Sequence, residues 1–410
     1  MTSTPARLAQ ARDRASAARA LAERFESEFG YAPDGVWSAP GRVNIVGEHV
    51  DYQDGLCLPM AISHRCFVAG ARTATNVIRV RSLQADGACE VTLDSLEPGS
   101  VEGWAGYVVG VLWALRPFIS GAQEVGLDLL VDGDVPLGAG LSSSAALECA
   151  TAEAVEALLS LATEPLDRVR ASIKAETAFV GASTGGLDQS ASVLCTEGHA
   201  LELDCRDFST TQVPWELERE GLALLICDTR AEHALVGGEY AERRRASETA
   251  AAELGAATLR DVVDAAGPEL DPRAVVAPIA DAVVRRRAHH IVTEIVRVER
   301  FVALLRGGGV RAHLEEIGSL MDASHDSLRD DYEVTVPALD VAVAAARAAG
   351  AHGARMTGGG FGGSVIALVD ADRAQATAQA IADAFARESL GEPHFFLASP
   401  AAGAGEDLRV

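Results

Sequence analysis

The chain has 410 residues, 48% of them hydrophobic and 23% charged, which suits a globular protein of two or three domains. Its formal charge of −24 repels nucleic acid and anionic membranes, and no apolar run reaches the roughly 18 residues of a membrane span. Seven scattered cysteines without a CxxC pair argue against a disulfide framework or structural zinc site and read as small buried apolar residues. Lys174 is the only lysine among 35 basic residues, so a P-loop lysine is almost ruled out.

Residues 1–30 predict an Ala-rich amphipathic helix carrying both charge signs, with no apolar signal-peptide core, hence a cytoplasmic protein. Strands are predicted over 65–72, 77–82, 126–131, 223–228 and 364–369, where Val, Ile, Leu and Ala concentrate. Helices are predicted over 142–160, 165–180, 239–254, 281–305, 311–324, 337–349 and 371–388. Strands and helices mix without a regular βαβα alternation, which gives an α+β class. After Arg206 glycine-rich sequence gives way to charged helical sequence, and this divides the chain into domains 1–205 and 206–410.

Three segments carry candidate chemistry. "GRVNIVGEHVDYQDG", from Gly41 to Gly55, places Arg42, Glu48, His49 and Asp51 among Val43, Ile45, Val46 and Val50. Charges beside apolar residues are costly unless paired or used. Three hydroxyl-bonding groups beside a fixed cation suit a sugar and a phosphoryl group, and a polar loop with incidental ion pairs explains the string equally well. Next, "VPLGAGLSSSAALECATAEAVEALL" runs from Val135 to Leu159. Gly138 and Gly140 permit a tight turn, and Ser142, Ser143 and Ser144 open a long helix whose free N–H groups can hold an anion. An ordinary capped helix after a turn is the plainer alternative, and GxxxxGK[ST] is absent. Last, "RMTGGGFGGSVIALV" (Arg355 to Val369) has five glycines flanking Phe361 before an apolar strand. It reads as a flexible hairpin or as backbone packed closely around a ligand or another loop.

In this order and spacing the three segments resemble the motifs of the GHMP kinases, and "GRVNIVGEHVDYQDGLCLP" resembles the galactokinase signature within that family. The likeness extends through "FVGASTGGLDQSASVLCTEGHALELDCRD", "EYAERRR", "RRRAHHIVTEIVRV" and "SHDSLRDDYEVTVPALD" to a final strand at "GAGEDLRV". It implies a two-domain GHMP kinase fold with the active site in the cleft between domains. The implied reaction moves the γ-phosphoryl group of ATP to the anomeric hydroxyl of α-D-galactose, the first phosphorylation of galactose catabolism. Asp188 matches the catalytic aspartate and Arg42 the arginine beside it. Glu48, His49, Asp51, Gly185 and Tyr240 match sugar contacts, and Val50 lies between two of them. Gly138, Ala139, Gly140, Leu141, Ser142, Ser143 and Ser144 match the loop around the ATP phosphates. Ser144 and Glu176 match the ligands of Mg²⁺, the implied cofactor. Trp104 and Tyr107 resemble aromatics near the nucleotide base, although core packing explains the pair equally.

Two departures are visible. Val50 and Gln53 stand where the family has threonine and asparagine; the first is expected to shift sugar selectivity modestly and the second to act only on its loop. Arg243, Arg244 and Arg245 read as a solvated or ion-paired helix face. The implied partners are galactose and ATP, with neither nucleic acid nor membrane, for a monomer or weak oligomer. Two other readings stay open: a related GHMP kinase acting on another sugar, and a non-catalytic galactose and ATP sensor.

Overall fold

A computed structural model describes residues 5–119, 125–231 and 236–410. Three sheets organise it. The largest has six strands, in the spatial order Gly405–Arg409, Gly35–Asn44, Pro59–Thr73, Gly126–Gly133, Ile78–Ser82 and Ala88–Val91. All of its pairings are antiparallel except that of Ile78–Ser82 with Gly126–Gly133. A five-stranded sheet follows the order Leu8–Ala9, His394–Ala398, Leu222–Asp228, Ser364–Asp370 and Gly353–Thr357. A small third sheet joins Leu56–Cys57 to the His199–Asp204 and Ser209–Pro214 hairpin.

The strand at 222–228 shows why the second sheet reads as continuous apolar sequence. Leu222, Leu224 and Ile226 point into one core cluster, while Ala223, Leu225 and Cys227 point into the other. Successive side chains alternate faces, so a strand covered on both sides has no polar positions to show. The partner strand does the same, with Ile366 and Leu368 on one side and Val365, Ala367 and Val369 on the other.

All five predicted strands form, and the first extends to Pro59–Thr73. The seven predicted helices form within a few residues of the expected bounds, with one local change. The helix predicted over 165–180 is α-helical only for Pro165–Lys174 and widens into a π-turn over Ala175–Val180. The N-terminal helix is Arg14–Phe29, capped by the Asp13 carboxylate on the Ser16 N–H. Leu8–Ala9 before it is a strand paired with Phe395–Phe396, an arrangement that local helix propensity does not foresee; residues 1–4 lie outside the described residues. Among the elements not predicted are the Gly35–Asn44 strand, the Trp104–Leu115 helix and the short Leu187–Leu194 helix. Six cysteines are buried and Cys89 is half-buried; all are free thiols. No described helix is long and apolar enough to cross a membrane.

The two ends of the chain exchange halves. Leu8–Ala9 joins the sheet built from residues after 222, and Gly405–Arg409 pairs with Gly35–Ser38. The division placed at 206 falls in the turn between the paired strands His199–Asp204 and Ser209–Pro214.

Candidate active site

A cavity of about 520 Å³ brings all three glycine-rich or charged segments together. Its chemistry is built from the backbone outward. The Gly35–Asn44 strand slips register against its neighbour between Pro40 and Arg42. Such a bulge re-aims the next side chain. Gly41 is required there, because a Cβ would lie 2.6 Å from the Leu141 carbonyl. Arg42 then turns into the cleft, where it is 5% exposed. Its Nε donates to Asp188 Oδ1 at 2.8 Å, its second terminal nitrogen lies 2.6 Å from the same oxygen, and the first donates to the Gly140 carbonyl at 2.7 Å.

Asp188 stands in the first turn of the Leu187–Leu194 helix, where the helix dipole favours an anion. Its other oxygen accepts from Ser142 Oγ at 2.5 Å. That bond has a consequence for the phosphate loop. Ser142 is the N-cap of the Ser143–Leu159 helix, in the left-handed region at φ 59°, and its side chain makes no capping bond. Among the described residues no protein acceptor meets the N–H groups of Ser143, Ser144 and Ala145. An N-cap serine that leaves its own helix uncapped keeps those donors available to an anion.

Ser144 Oγ donates to Glu176 Oε1 at 3.1 Å, and Gln189 Nε2 bridges Glu176 Oε2 at 2.5 Å and Glu148 Oε2 at 3.0 Å. Burial and the charge of Asp188 push the Glu176 carboxyl up to about 7. Burial and Glu176 push Glu148 well above the ordinary range, and Glu148 Oε1 has no partner among the described residues. Glu176 sits on the π-turn, a helix defect common at functional sites.

At the other end Glu48 is held from several sides. Its Oε1 accepts from the Gly358 N–H at 2.7 Å and lies 3.1 Å from Thr357 Oγ1; its Oε2 accepts from Asn44 Nδ2 at 3.2 Å. Arg355, wholly buried, lies 3.6 Å from Oε1 and donates to the Asn44 carbonyl at 2.7 Å. Burial pushes the Glu48 carboxyl up, against the pull of Arg355 and Arg42. Asp51 is pushed up to about 7 by burial and by the charges of Asp188 and Glu48. Gly185 must be glycine, since a Cβ would sit 2.2 Å from Asp51 Oδ2. The Tyr240 ring lies 5.5 Å from the His49 ring and 5.6 Å from that of Tyr52.

Several sequence readings are revised. His49 Nε2 faces the Gly359 carbonyl at 3.1 Å, so it must be the protonated nitrogen, and Nδ1 accepts from the Tyr52 hydroxyl at 2.9 Å. Both nitrogens are thus engaged within the protein. Burial and the neighbouring His290 hold the ring down to about 3, so it is neutral. His49 therefore stands in the cavity wall with both ring nitrogens already engaged by protein groups. Val50 is wholly buried beneath the loop, packed in the core away from the cavity. Ala139 also turns inward: it is 1% exposed and its carbonyl accepts from Ser364 Oγ. Gln53 acts beyond its loop, accepting the N–H of Leu259 at 2.9 Å to anchor the Leu259–Ala266 helix. Arg243 is ion-paired with Glu242 as one of the two expectations had it, but it is buried and also donates to the carbonyls of Tyr332 and Glu333, whereas Arg244 pairs with Glu248 on the surface. Trp104 and Tyr107 stand on the Trp104–Leu115 helix and do not line the cavity.

The structure also supplies residues that the sequence reading left unassigned. Arg355, Glu148, Gln189, Tyr52 and Tyr332 support the site, and Gly358 and Gly140 interlock so closely that a Cβ on Gly358 would lie 2.6 Å from the Gly140 carbonyl. Arg355 opened a quoted motif; a lone cation before an apolar strand was its signal.

The chain is similar to known proteins over most of its length. The galactokinase galactose-binding signature matches residues 23–72, the GHMP kinase N-terminal domain matches 106–196 and the GHMP kinase C-terminal domain matches 303–387. A galactokinase from Streptomyces coelicolor is 46% identical over 94% of this chain and 97% of its own. A galactokinase from Mycobacterium tuberculosis is 42% identical over 90% of this chain and 98% of its own. The crystal structure of Lactococcus lactis galactokinase complexed with galactose superposes with a TM-score of 0.87 at 31% identity, covering 95% of this chain and 99% of that one. A mevalonate kinase at 16% identity and a TM-score of 0.63, covering 89% of this chain and 98% of its own, shares the fold.

Proposed function

This chain belongs to the galactokinase family of the GHMP kinases, and we propose that it transfers the γ-phosphoryl group of ATP to the anomeric hydroxyl of galactose. One observation carries the reading: the Arg42–Asp188–Ser142 cluster links the Glu48 and Asp51 end of the cavity to the phosphate loop. A phosphoryl acceptor and donor bound at those ends would meet at Asp188. Its carboxylate accepts the proton as the anomeric oxygen attacks phosphorus. Arg42 keeps that carboxylate oriented and offers positive charge where the moving phosphoryl group gathers negative charge. Glu48 and Asp51 accept from sugar hydroxyls, and the first-turn N–H groups of the Ser143–Leu159 helix cradle phosphate oxygens.

The fold family implies Mg²⁺, and the residues present fit it. A half-buried serine hydroxyl and the crowded Glu176 and Glu148 carboxylates form an oxygen-rich, electron-rich pocket beside the phosphate loop. Ser144 and Glu176 would hold the ion, with phosphate oxygens and water as its remaining ligands, since among the described residues no three-carboxylate or histidine cluster does so alone. When bound, it supplies charge neutralisation on the phosphate oxygens.

Position 50 favours galactose over a shifted sugar, because its side chain lies under the loop and away from the cavity. The intact Arg42–Asp188 pair favours a kinase over a sensor. The reading extends to two domains, 1–205 and 206–410, with the strands at the chain ends exchanged between them. It also extends to a cytoplasmic location, where ATP is supplied, and to a monomer or weak oligomer, which sedimentation velocity would refute by showing a stable larger species. The decisive experiment follows ADP release with Mg-ATP across galactose, glucose, 2-deoxygalactose, N-acetylgalactosamine, arabinose and no sugar. Galactose should turn over fastest. A preference for another sugar would move the substrate, and no turnover despite sugar and ATP binding would replace the kinase with a sensor.

A further inference from the structure

A second cavity, of about 380 Å³, is lined by Arg273, Arg285, Arg286 and His289 together with Val276, Ala277 and Asp331. Its charge is unusual for this molecule. Acidic residues outnumber basic ones 59 to 35, and many arginines here are paired with carboxylates. Arg273 and Arg285 are not: among the described residues neither has a carboxylate within ion-pair distance, and Arg285 gives a single bond, to the Ile279 carbonyl at 2.9 Å. Arg286 reaches Glu333 only at 3.4 Å. The one acid on the wall, Asp331, is already occupied by His289 Nδ1 at 2.9 Å and Ser327 Oγ at 3.1 Å. Three arginines thus line one concavity with most of their guanidinium donors unspent.

Guanidinium forks match tetrahedral oxyanions, and phosphate most of all. Val276 and Ala277 add an apolar patch on which the carbon skeleton of an ester can rest. We propose that this cavity is a second anion site, which takes a phosphate dianion, free or as a sugar monoester. It is separate from the catalytic cleft but backs onto it. Asp331 adjoins Tyr332, whose hydroxyl meets that of Tyr52 at 2.7 Å and whose ring lies 4.9 Å from that of His49.

The test is equilibrium dialysis of the full chain against labelled orthophosphate and, in a parallel arm, against a hexose 1-phosphate. The same measurement is made on Arg273→Gln/Arg285→Gln, which should keep wild-type turnover in phosphate-free buffer. Saturable binding that weakens about tenfold or more in the variant upholds the site, as expected for losing two charge-assisted hydrogen bonds. The tighter of the two ligands then names the source. Arg273→Gln alone, at an exposed position, gives the same direction without a folding risk. Binding that is equal in wild type and variants places phosphate in the catalytic cleft and overturns the proposal, as does the absence of saturable binding below roughly 10 mM.

Discussion

The two ends of the cleft are built on opposite principles. At the sugar end Glu48 is fixed by Gly358, Asn44 and Arg355, and both nitrogens of His49 are engaged. At the phosphate end Glu176 and Glu148 share one amide donor and crowd each other's charge, with their carboxyls pushed up. The contrast lies in how many partners fix each carboxylate, since burial pushes Glu48 up as well, and burial with like charge pushes up Asp51. A neutral, hydroxyl-rich ligand is recognised by groups already locked in position, so little ordering cost is left for binding. A ligand that brings its own charges can complete a region that is electrostatically unbalanced without it.

Four changes would break or sharpen that comparison. The largest effect is expected at the junction of the two ends. Asp188→Asn should lower kcat by about a thousandfold or more while ATP affinity, measured by calorimetry, stays nearly unchanged. A variant with near wild-type turnover would remove Asp188 as the base. Next comes the rigid end. Arg355→Met leaves Glu48 buried without its nearest cation, and should cost about 3–5 kcal/mol in urea denaturation and raise the galactose KM. Unchanged stability would mean that the hydrogen bonds to Gly358 and Asn44 suffice.

Asp51, beside Glu48 at the sugar end, ties stability to pH. Its folded pKa, about 7, lies above the ordinary carboxylate value of 3.8, so the folded state holds its proton more tightly. That contribution is fully present below pH 4 and is lost as pH rises through 7. Asp51→Asn should therefore gain stability over wild type between pH 5.5 and pH 8, by about 1–3 kcal/mol, while losing sugar affinity. Parallel denaturation curves at the two pH values would refute this. The smallest effect belongs to Ser144→Ala, which should raise the Mg²⁺ midpoint of activity about tenfold without touching the galactose KM. An unmoved midpoint would take Ser144 out of the metal site.

Much of this site was legible because its chemistry is local in sequence. Arg42, Glu48 and Asp51 lie within ten positions, and the turn and helix that make the phosphate loop are contiguous. What stayed hidden depends on distance along the chain. The protonation of His49 follows from the Gly359 carbonyl, and the anchoring role of Gln53 from the N–H of Leu259. The fate of Val50 followed from which way the loop turns its side chain, and period-based reading does not resolve a short turn. Arg243 looked like one of three surface arginines; only the carbonyls of Tyr332 and Glu333 distinguish it. The Gly35–Asn44 strand was missed because it is buried throughout and carries Pro40, Arg42 and four polar or glycine positions that mask an apolar pattern.

The exchange of strands at the chain ends bears on how the protein is made. The six-stranded sheet begins with Gly35–Asn44, yet its outermost strand, Gly405–Arg409, emerges about 360 residues later. At roughly 5–20 residues per second, translation leaves that edge open for roughly 20–70 s. The first sheet therefore cannot be completed until residues 405–409 have left the ribosome. During that interval Gly35–Ser38 presents an unpaired strand edge to any other chain that could add to it.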